Sequence, residues 1–304
     1  MGMHRGGTSL VASLVSRWGA CPGGDPAEMF FPPNRWNERG YWEAREVVAL
    51  NDEILARLGE EWFVPPPPGA EAMLRQLAAA SDYADQAAAL MRQRPVNGVD
   101  VWFLKDPRFS FVAPFWRPFW PDALYLIVLR HPIAVARSLL RRDHMPLSAG
   151  LLLWASTMRL ALEHTRTERR VIVDADQLLG DPAGACARLW GRLGDFAGRS
   201  GSMTADEASA EVQRDLWHFD SNDAMPSNEL ERGLMSWYES VREHAGVLLD
   251  NAEVPLGIDV RPMAREYLKV WSALSRLWRL VPDEYRQRLE SAMSADDRAL
   301  FGYA

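Results

Sequence analysis

Three short apolar runs, each followed by a polar turn and then by a helical pattern, constrain the fold more than any other feature. They span residues 101–104, 124–129 and 171–173. Strands that are apolar on both faces and alternate with helices are typical of a parallel sheet that helices cover on both sides. The sequence therefore predicts an α/β fold.

Helical periodicity and turn residues indicate the organisation around these strands. Four prolines at 65–68 separate two of the predicted helices, and the regular pattern weakens between 199 and 228. We expect one α/β domain over 1–257 and a helical C-terminal extension over 258–304 packed on it. The helices predicted before the extension include 8–18, 43–58, 70–93, 147–162 and 229–250.

Charge and cysteine content exclude several classes of protein. The 304 residues include 34 Lys and Arg against 41 Asp and Glu, a net charge of −7, which argues against a nucleic-acid partner and requires any anion site to be local. Cys21 and Cys186 lie far apart, so neither a disulfide framework nor a metal site is predicted. The apolar stretch 147–162 falls short of the roughly 20 residues that span a bilayer. We expect a reduced, cytoplasmic protein without a membrane span.

A glycine-rich turn at residues 2–9 runs directly into the first predicted helix with the sequence GMHRGGTS. The main-chain N–H groups of such a turn and the helix dipole together favour anion binding. A Walker A loop would place lysine where Thr8 stands, so ATP hydrolysis is not expected. The cation of this loop is Arg5, which suits a shorter 5′-phosphate group. An ordinary turn is the alternative interpretation.

A second motif, LRHPIAVARS, follows the most strongly apolar run. Arg130 stands at the carboxyl end of the predicted strand, where ligands bind in parallel α/β sheets, and Ser138 lies about two helical turns further on. An arginine and a hydroxyl on either side of a helix start are typical of a phosphate clamp. The alternative is a structural ion pair at Arg130 and a small packing residue at Ser138.

Taken together, five segments resemble, in order and spacing, the bacterial sulfotransferases that use 3′-phosphoadenosine-5′-phosphosulfate (PAPS). The resemblance covers residues 1–197 and implies a P-loop NTPase-like fold, PAPS as co-substrate and no metal. The segments are GMHRGGTSL at the start, RGYWE at 39–43, LKDPR at 104–108, LRHPIAVARSL at 129–139 and the weaker VDADQLLGDP at 173–182.

The resemblance also implies roles for individual residues. Arg130 and Ser138 would hold the 3′-phosphate of PAPS. The residues that would cradle the 5′-phosphosulfate are Arg5, Gly6, Gly7, Thr8 and Ser9.

The chain departs from the family pattern at three places. Gly6 replaces a hydroxyl residue, and Asp174 stands where the family often has tyrosine. The third departure is the start of the glycine-rich turn at residue 2, since a loop of this kind follows a buried strand. We therefore expect the first central strand to be missing from this chain, with about four to eight apolar residues encoded upstream.

Sulfuryl transfer requires cations on the leaving group and a base for the acceptor hydroxyl. We assign Arg5 and Lys105 to the leaving group. Glu43 is the expected base, because flanking aromatic side chains would exclude water from it, and His4 is the reserve base. The alternatives are a surface lysine at Lys105 and an ordinary first-turn helix glutamate at Glu43.

Two other functions remain open from the sequence. A P-loop kinase-like phosphotransferase would use Asp106 as its Walker B residue, and a non-catalytic relative would bind the nucleotide without reaction. The acceptor is a small molecule, a glycan or a lipid with a hydroxyl group. The aromatic residues near the motifs that offer a surface for it are Trp36, Tyr41, Trp42, Trp62, Phe109, Phe111, Phe115 and Trp116.

Overall fold

A computed structural model describes residues 1–23, 31–33, 37, 40–92, 101–210, 212, 228–249 and 253–280. These residues form a small sheet surrounded by helices, which confirms the α/β class. The helices are α1 Thr8–Trp18, α2 Arg45–Arg57, α3 Ala70–Ala79, α4 Asp82–Arg92, α5 Phe109–Trp116, α6 Pro132–Asp143, α7 Leu147–His164, α8 Ala175–Gly180, α9 Pro182–Ala197, α10 Ala205–Ser209, α11 Glu229–Arg242 and α12 Arg261–Leu280.

The sheet consists of three strands in the order β1-β2-β3 among the described residues. β1 (Tyr125–Leu129) and β2 (Arg170–Asp174) are parallel, as predicted, with Ile127 opposite Ile172. β3 (Leu248–Leu249) is antiparallel to β2, so the sheet is mixed rather than purely parallel.

The predicted strand at 101–104 is wrong. Among the described residues this segment makes one parallel bridge, between Trp102 and Cys21, in which Cys21 N–H donates to the Val101 carbonyl at 2.9 Å and Phe103 N–H to the Cys21 carbonyl at 2.8 Å. Apolar residues on both faces match the strand pattern, but an isolated bridge to one described residue does not make a strand.

Met1 and Gly2 lie alongside β1 and make the hydrogen bonds of a parallel strand. Val128 N–H donates to the Met1 carbonyl at 3.0 Å, and the Met1 nitrogen donates to the Leu126 carbonyl at 2.9 Å. Gly2 has φ +135°, and a Cβ at this position would lie 2.7 Å from the Val128 carbonyl oxygen, so the close approach requires glycine. Beyond Met1, an apolar cavity of about 480 Å³ separates β1 from residues 101–104.

Hydrophobic clusters cover both faces of the sheet. Ile127 and Ile172 belong to the larger cluster, which includes α5 and α7. Val128 and Val173 point to the opposite face and pack with α1 and α9. Since successive strand residues alternate between faces, this division explains why both strands are apolar throughout.

Two predicted helices have different bounds in the structure. The helix expected over 70–93 is broken at Ala80, which is extended, and Ser81 Oγ then accepts from Ala84 N–H at 3.2 Å at the start of α4. The helix expected over 229–250 ends at Arg242 and is followed by β3. Local hydrogen bonds set the break at Ala80, and strand pairing follows the end at Arg242. Hydrophobic periodicity reports neither of these interactions, so it does not predict where the helices end.

Helix α12 packs against α7 and places Ala264 and Leu268 in the larger cluster. The remainder of the predicted C-terminal helices, 281–304, lies outside the described residues, as do 213–227 of the irregular stretch. No helix in the described part of the chain has the length and apolar character needed to cross a membrane.

Candidate active site

The glycine-rich turn forms a tight loop between the β1 edge and α1. Arg5 and Gly7 both have positive φ, 65° and 88°, and Gly6 N–H donates to the Met3 carbonyl at 3.0 Å. A Cβ on Gly6 would lie 2.7 Å from the Met3 oxygen, so a hydroxyl side chain here would have to shift the turn. Gly7 is the N-cap of α1 and no described side chain caps this helix, which leaves its first N–H groups to face an anion.

The other residues of the loop are fixed by their surroundings. Thr8 is buried at the start of α1. Ser9 Oγ accepts a hydrogen bond from Asn37 Nδ2 at 2.9 Å and donates to the Tyr41 carbonyl at 3.4 Å. The loop is therefore joined to the segment that precedes α2.

The two predicted phosphate sites are directly connected. Arg130 Nη1 donates to the Arg5 carbonyl at 2.8 Å, and Arg5 Nε donates to Ser138 Oγ at 2.9 Å. Arg130 and Ser138 are both buried, at the end of β1 and on α6. Burial, followed by the charge of Arg142, lowers the pKa of Arg5 to about 10, so this side chain remains a cation at pH 7.

The turn between β1 and α6 has supports that the sequence reasoning missed. Asp176 Oδ2 accepts from His131 N–H at 2.8 Å and from Tyr238 Oη at 3.0 Å. Trp154 Nε1 donates to the Arg130 carbonyl at 3.0 Å. Helix α11, through Tyr238, is thereby connected to the residue next to Arg130.

Glu43 and Lys105 form a buried ion pair between Oε1 and Nζ. The interpretation of Lys105 as a surface lysine is wrong, because only 7% of the residue is exposed. Glu43 also differs from a first-turn glutamate, since Ala44 is the N-cap of α2 and Glu43 precedes it. The pair lies where the segment at 101–104 ends, beside the glycine-rich turn.

Asp106 is fully buried and has structural partners. Its carboxylate accepts from Asn51 Nδ2 at 2.9 Å, from Arg108 N–H at 2.9 Å and from Arg108 Nη1 at 3.0 Å. Arg108 Nε also donates to Asp52 at 2.6 Å. These contacts occupy the carboxylate that a Walker B role would require.

His4 lies among positive charges. Its ring packs on Trp62, with 4.4 Å between the ring centroids. Burial, and then the charges of Arg108, Arg142, Lys105 and Arg5, holds the pKa of His4 well below its usual value. The imidazole is therefore neutral at pH 7 and available to accept a proton only as a weak base.

A cavity of about 600 Å³ joins these groups. Trp62 and Tyr41, from the predicted aromatic set, lie on its wall together with Phe31, Pro32 and Pro33. Glu43 is the single carboxylate among its described lining residues. The cations that line it are Arg5, Lys105, Arg108, Arg130 and Arg142.

Most of the other aromatic residues considered for an acceptor belong to the core. Trp42 packs on Phe103, with 6.3 Å between centroids, and Trp36 lies outside the described residues. The buried core residues are Phe109, Phe111, Phe115 and Trp116.

The sequence reasoning also missed Arg108 and Arg142 on the cavity wall. Arg108 is the last residue of the quoted segment LKDPR. Arg142 follows Ser138 by four residues and shares its face of α6, which is a spacing that could have been recognised. No group of three His, Cys, Asp or Glu side chains in the described ranges is placed to hold a metal ion.

A comparison with known proteins identifies one family. A family model described as the sulfotransferase family matches residues 1–195, which is more than half of the chain. No curated protein and no solved structure gives a significant match. The matched range contains the glycine-rich turn, the Glu43–Lys105 pair and the turn between β1 and α6.

Proposed function

Since the chain belongs to the sulfotransferase family, we propose that it transfers a sulfuryl group from PAPS to the hydroxyl group of an acceptor. The observation that carries the proposal is the connection of Arg130 to the Arg5 carbonyl and of Arg5 to Ser138. This connection brings the two proposed anion-binding groups together, in one cavity with the buried pair of the Glu43 carboxylate and the Lys105 ammonium. A nucleotide with phosphates at two positions requires such a pair of sites.

The loop and the β1–α6 turn would hold the two ends of the nucleotide. The N–H groups at the start of α1 and the Arg5 guanidinium suit the 5′ end. Arg130 and Ser138 suit the 3′-phosphate, because a buried guanidinium and a hydroxyl both donate to phosphate oxygens. A triphosphate would need a further cation at Thr8, where the chain has a hydroxyl.

PAPS supplies a sulfuryl group already bonded to a good leaving group. The acceptor oxygen forms a bond to sulfur, while the bond between sulfur and the phosphate oxygen breaks and leaves its electron pair on that oxygen. Arg5 and Lys105 would neutralise the charge that develops there. Glu43, adjacent to Lys105, would take the hydroxyl proton, and neutral His4 is the other group able to accept it.

Calorimetric titration tests the nucleotide part of the proposal. We expect adenosine 3′,5′-bisphosphate to bind more tightly than ATP, because the 3′-phosphate reaches Arg130 and Ser138. Tighter binding of ATP would favour a phosphotransferase.

Transfer of labelled sulfate from PAPS to a panel of phenols, sugars and hydroxylated lipids tests the reaction. Formation of a sulfated product supports the enzyme. Tight binding of the bisphosphate without transfer to any acceptor would favour a nucleotide-binding relative that lacks activity.

A further inference from the structure

Arg142 is held in a defined position on the wall of the cavity. Its guanidinium carbon lies 5.7 Å from the centroid of the Trp62 ring, over which it stacks. Asp143 accepts from its Nε at 2.8 Å and from its Nη2 at 2.7 Å. Because the stacking and the ion pair restrict the side chain beforehand, little conformational entropy is lost when it binds a ligand.

The charges that face the cavity exceed what the nucleotide requires. Arg5, Lys105 and Arg130 serve the phosphosulfate and the 3′-phosphate in the proposed function. Arg108 is occupied by Asp52 and Asp106. Arg142 is also paired, with Asp143, but through Nε and Nη2 only, so its Nη1 is a donor that neither the nucleotide nor a described carboxylate accounts for.

The position of Arg142 relates it to the reacting groups. It is one helical turn beyond Ser138, and Trp62, on which it stacks, also contacts His4. Arg142 lines the same cavity as His4 and Arg5, so it is close to the loop that would hold the sulfuryl group. A group bound by Arg142 would lie near the acceptor hydroxyl rather than at a distant surface.

On the basis of the proposed function, we propose that the acceptor carries a carboxylate or an equivalent oxyanion near its hydroxyl group, and that Arg142 binds this anion. The Nη1 group that Asp143 leaves unused can donate to a carboxylate, and a guanidinium at this position favours an anionic over a neutral molecule. Phe31, Pro32 and Pro33 provide an apolar wall for the rest of the acceptor.

Matched acceptors that differ only in charge test this assignment. Suitable pairs are 4-hydroxyphenylacetate with its amide, and methyl glucuronide with its amide, each assayed for kcat/KM with saturating PAPS. We expect the acid of each pair to be preferred by about tenfold or more, the usual effect of one charge-assisted contact. In Arg142→Gln the preference should fall close to one, while Arg142→Lys should retain part of it.

Arg141→Gln is the matched control, because Arg141 is exposed on the same helix and its removal changes the net charge equally. It should leave the preference for the acid unchanged. Equal use of acid and amide by the unaltered enzyme would overturn the assignment. So would an Arg142→Gln variant whose main defect is weaker binding of adenosine 3′,5′-bisphosphate, since Arg142 would then serve the nucleotide.

Binding measurements separate this proposal from the proposed function. If the enzyme binds the bisphosphate but sulfates none of the four compounds, their dissociation constants are measured on the complex with the bisphosphate. If the bisphosphate itself does not bind, the proposed function fails, and the same constants are measured on the protein alone. In either case, the role of Arg142 is contradicted if the acids bind no more tightly than their amides, or if Arg142→Gln leaves the preference for the acids unchanged.

Discussion

The two walls of the cavity are built in different ways. One wall, which we propose holds the nucleotide and call the nucleotide side, consists of the glycine-rich turn and the β1–α6 turn, whose main-chain and side-chain groups bond directly to each other. The second wall depends on the loop that carries Trp62, which packs on His4 of the glycine-rich turn and is held in place by contacts with α12. Glu60 pairs with Arg265 at 2.5 Å and with Lys269 at 3.4 Å, and Phe63 packs on Trp271 with 5.5 Å between centroids.

The family match covers both walls, since Trp62 also lies within residues 1–195, and only α12, which contacts the loop of Trp62, lies beyond them. A wall that contacts α12 can change without disturbing the loops that we propose bind phosphate. We therefore expect variants to separate nucleotide binding from acceptor use.

The largest expected effect is on turnover alone. Glu43→Gln keeps the shape of the side chain but removes its basicity, so kcat should fall by about 10²–10⁴-fold, the usual contribution of a general base. The dissociation constant for adenosine 3′,5′-bisphosphate should change little. Steady-state kinetics and calorimetry provide the two measurements.

Glu46→Gln is the control for this variant, because Glu46 is exposed in the first turn of α2. It should retain full turnover. If Glu43→Gln also remains active while His4→Ala does not, the base is His4.

The next effect should fall on the nucleotide side alone. Arg130→Ala should weaken binding of adenosine 3′,5′-bisphosphate by about 1.5–3 kcal/mol, the range for a hydrogen bond to a charged group. Binding of adenosine 5′-phosphate, measured in the same titrations, should change much less. An equal loss for both nucleotides would mean that Arg130 acts only by supporting the Arg5 carbonyl.

The wall that carries Trp62 should respond to a change in α12. In Arg265→Met, Glu60 retains Lys269 but loses its closer partner, and the Pro65 carbonyl loses a donor at 2.5 Å. We expect the acceptor KM to rise by about tenfold, or roughly 1.4 kcal/mol of lost positioning, with the bisphosphate dissociation constant unchanged. Kinetics with an acceptor that the enzyme sulfates, together with titration, gives both values.

Arg276→Met removes the ion pair between Arg276 and Glu61 from the same helix and serves as the control. Both side chains are largely exposed, so this pair should contribute little. A weakened nucleotide site in Arg265→Met, with an unaffected acceptor KM, would contradict the division between the two walls.

The smallest expected effect tests the hydrogen bond by which α11 supports the nucleotide side. Tyr238→Phe removes the hydrogen bond to Asp176 and should weaken bisphosphate binding by about 2- to 12-fold, since one net hydrogen bond contributes about 0.5–1.5 kcal/mol. Tyr267→Phe removes a hydroxyl contact to Ser148, and since neither residue lines the cavity it should leave bisphosphate binding unchanged. A larger change in acceptor KM than in nucleotide affinity would place α11 on the other wall.

Local sequence determined the parts of the fold that rest on short-range rules. Helix α1 has the predicted bounds, because its apolar spacing ends at Gly19, whose φ of 110° is left-handed. β1 and β2 form where uninterrupted apolar residues precede a polar turn. The sequence predicts the glycine-rich turn because glycines mark positive φ angles, and it predicts Arg130 at a strand end because this residue directly follows an apolar run.

Tertiary structure decided which side chains meet. In the described part of the chain the segment at 101–104 pairs only with Cys21, so the predicted strand does not form there. Glu43 and Lys105 are 62 residues apart and become a buried pair only when two segments pack side by side. The spacing on α6 puts Arg142 on the face of Ser138, but its stacking on Trp62 depends on a loop that α12 contacts at Glu60 and Phe63, and no local pattern encodes that contact.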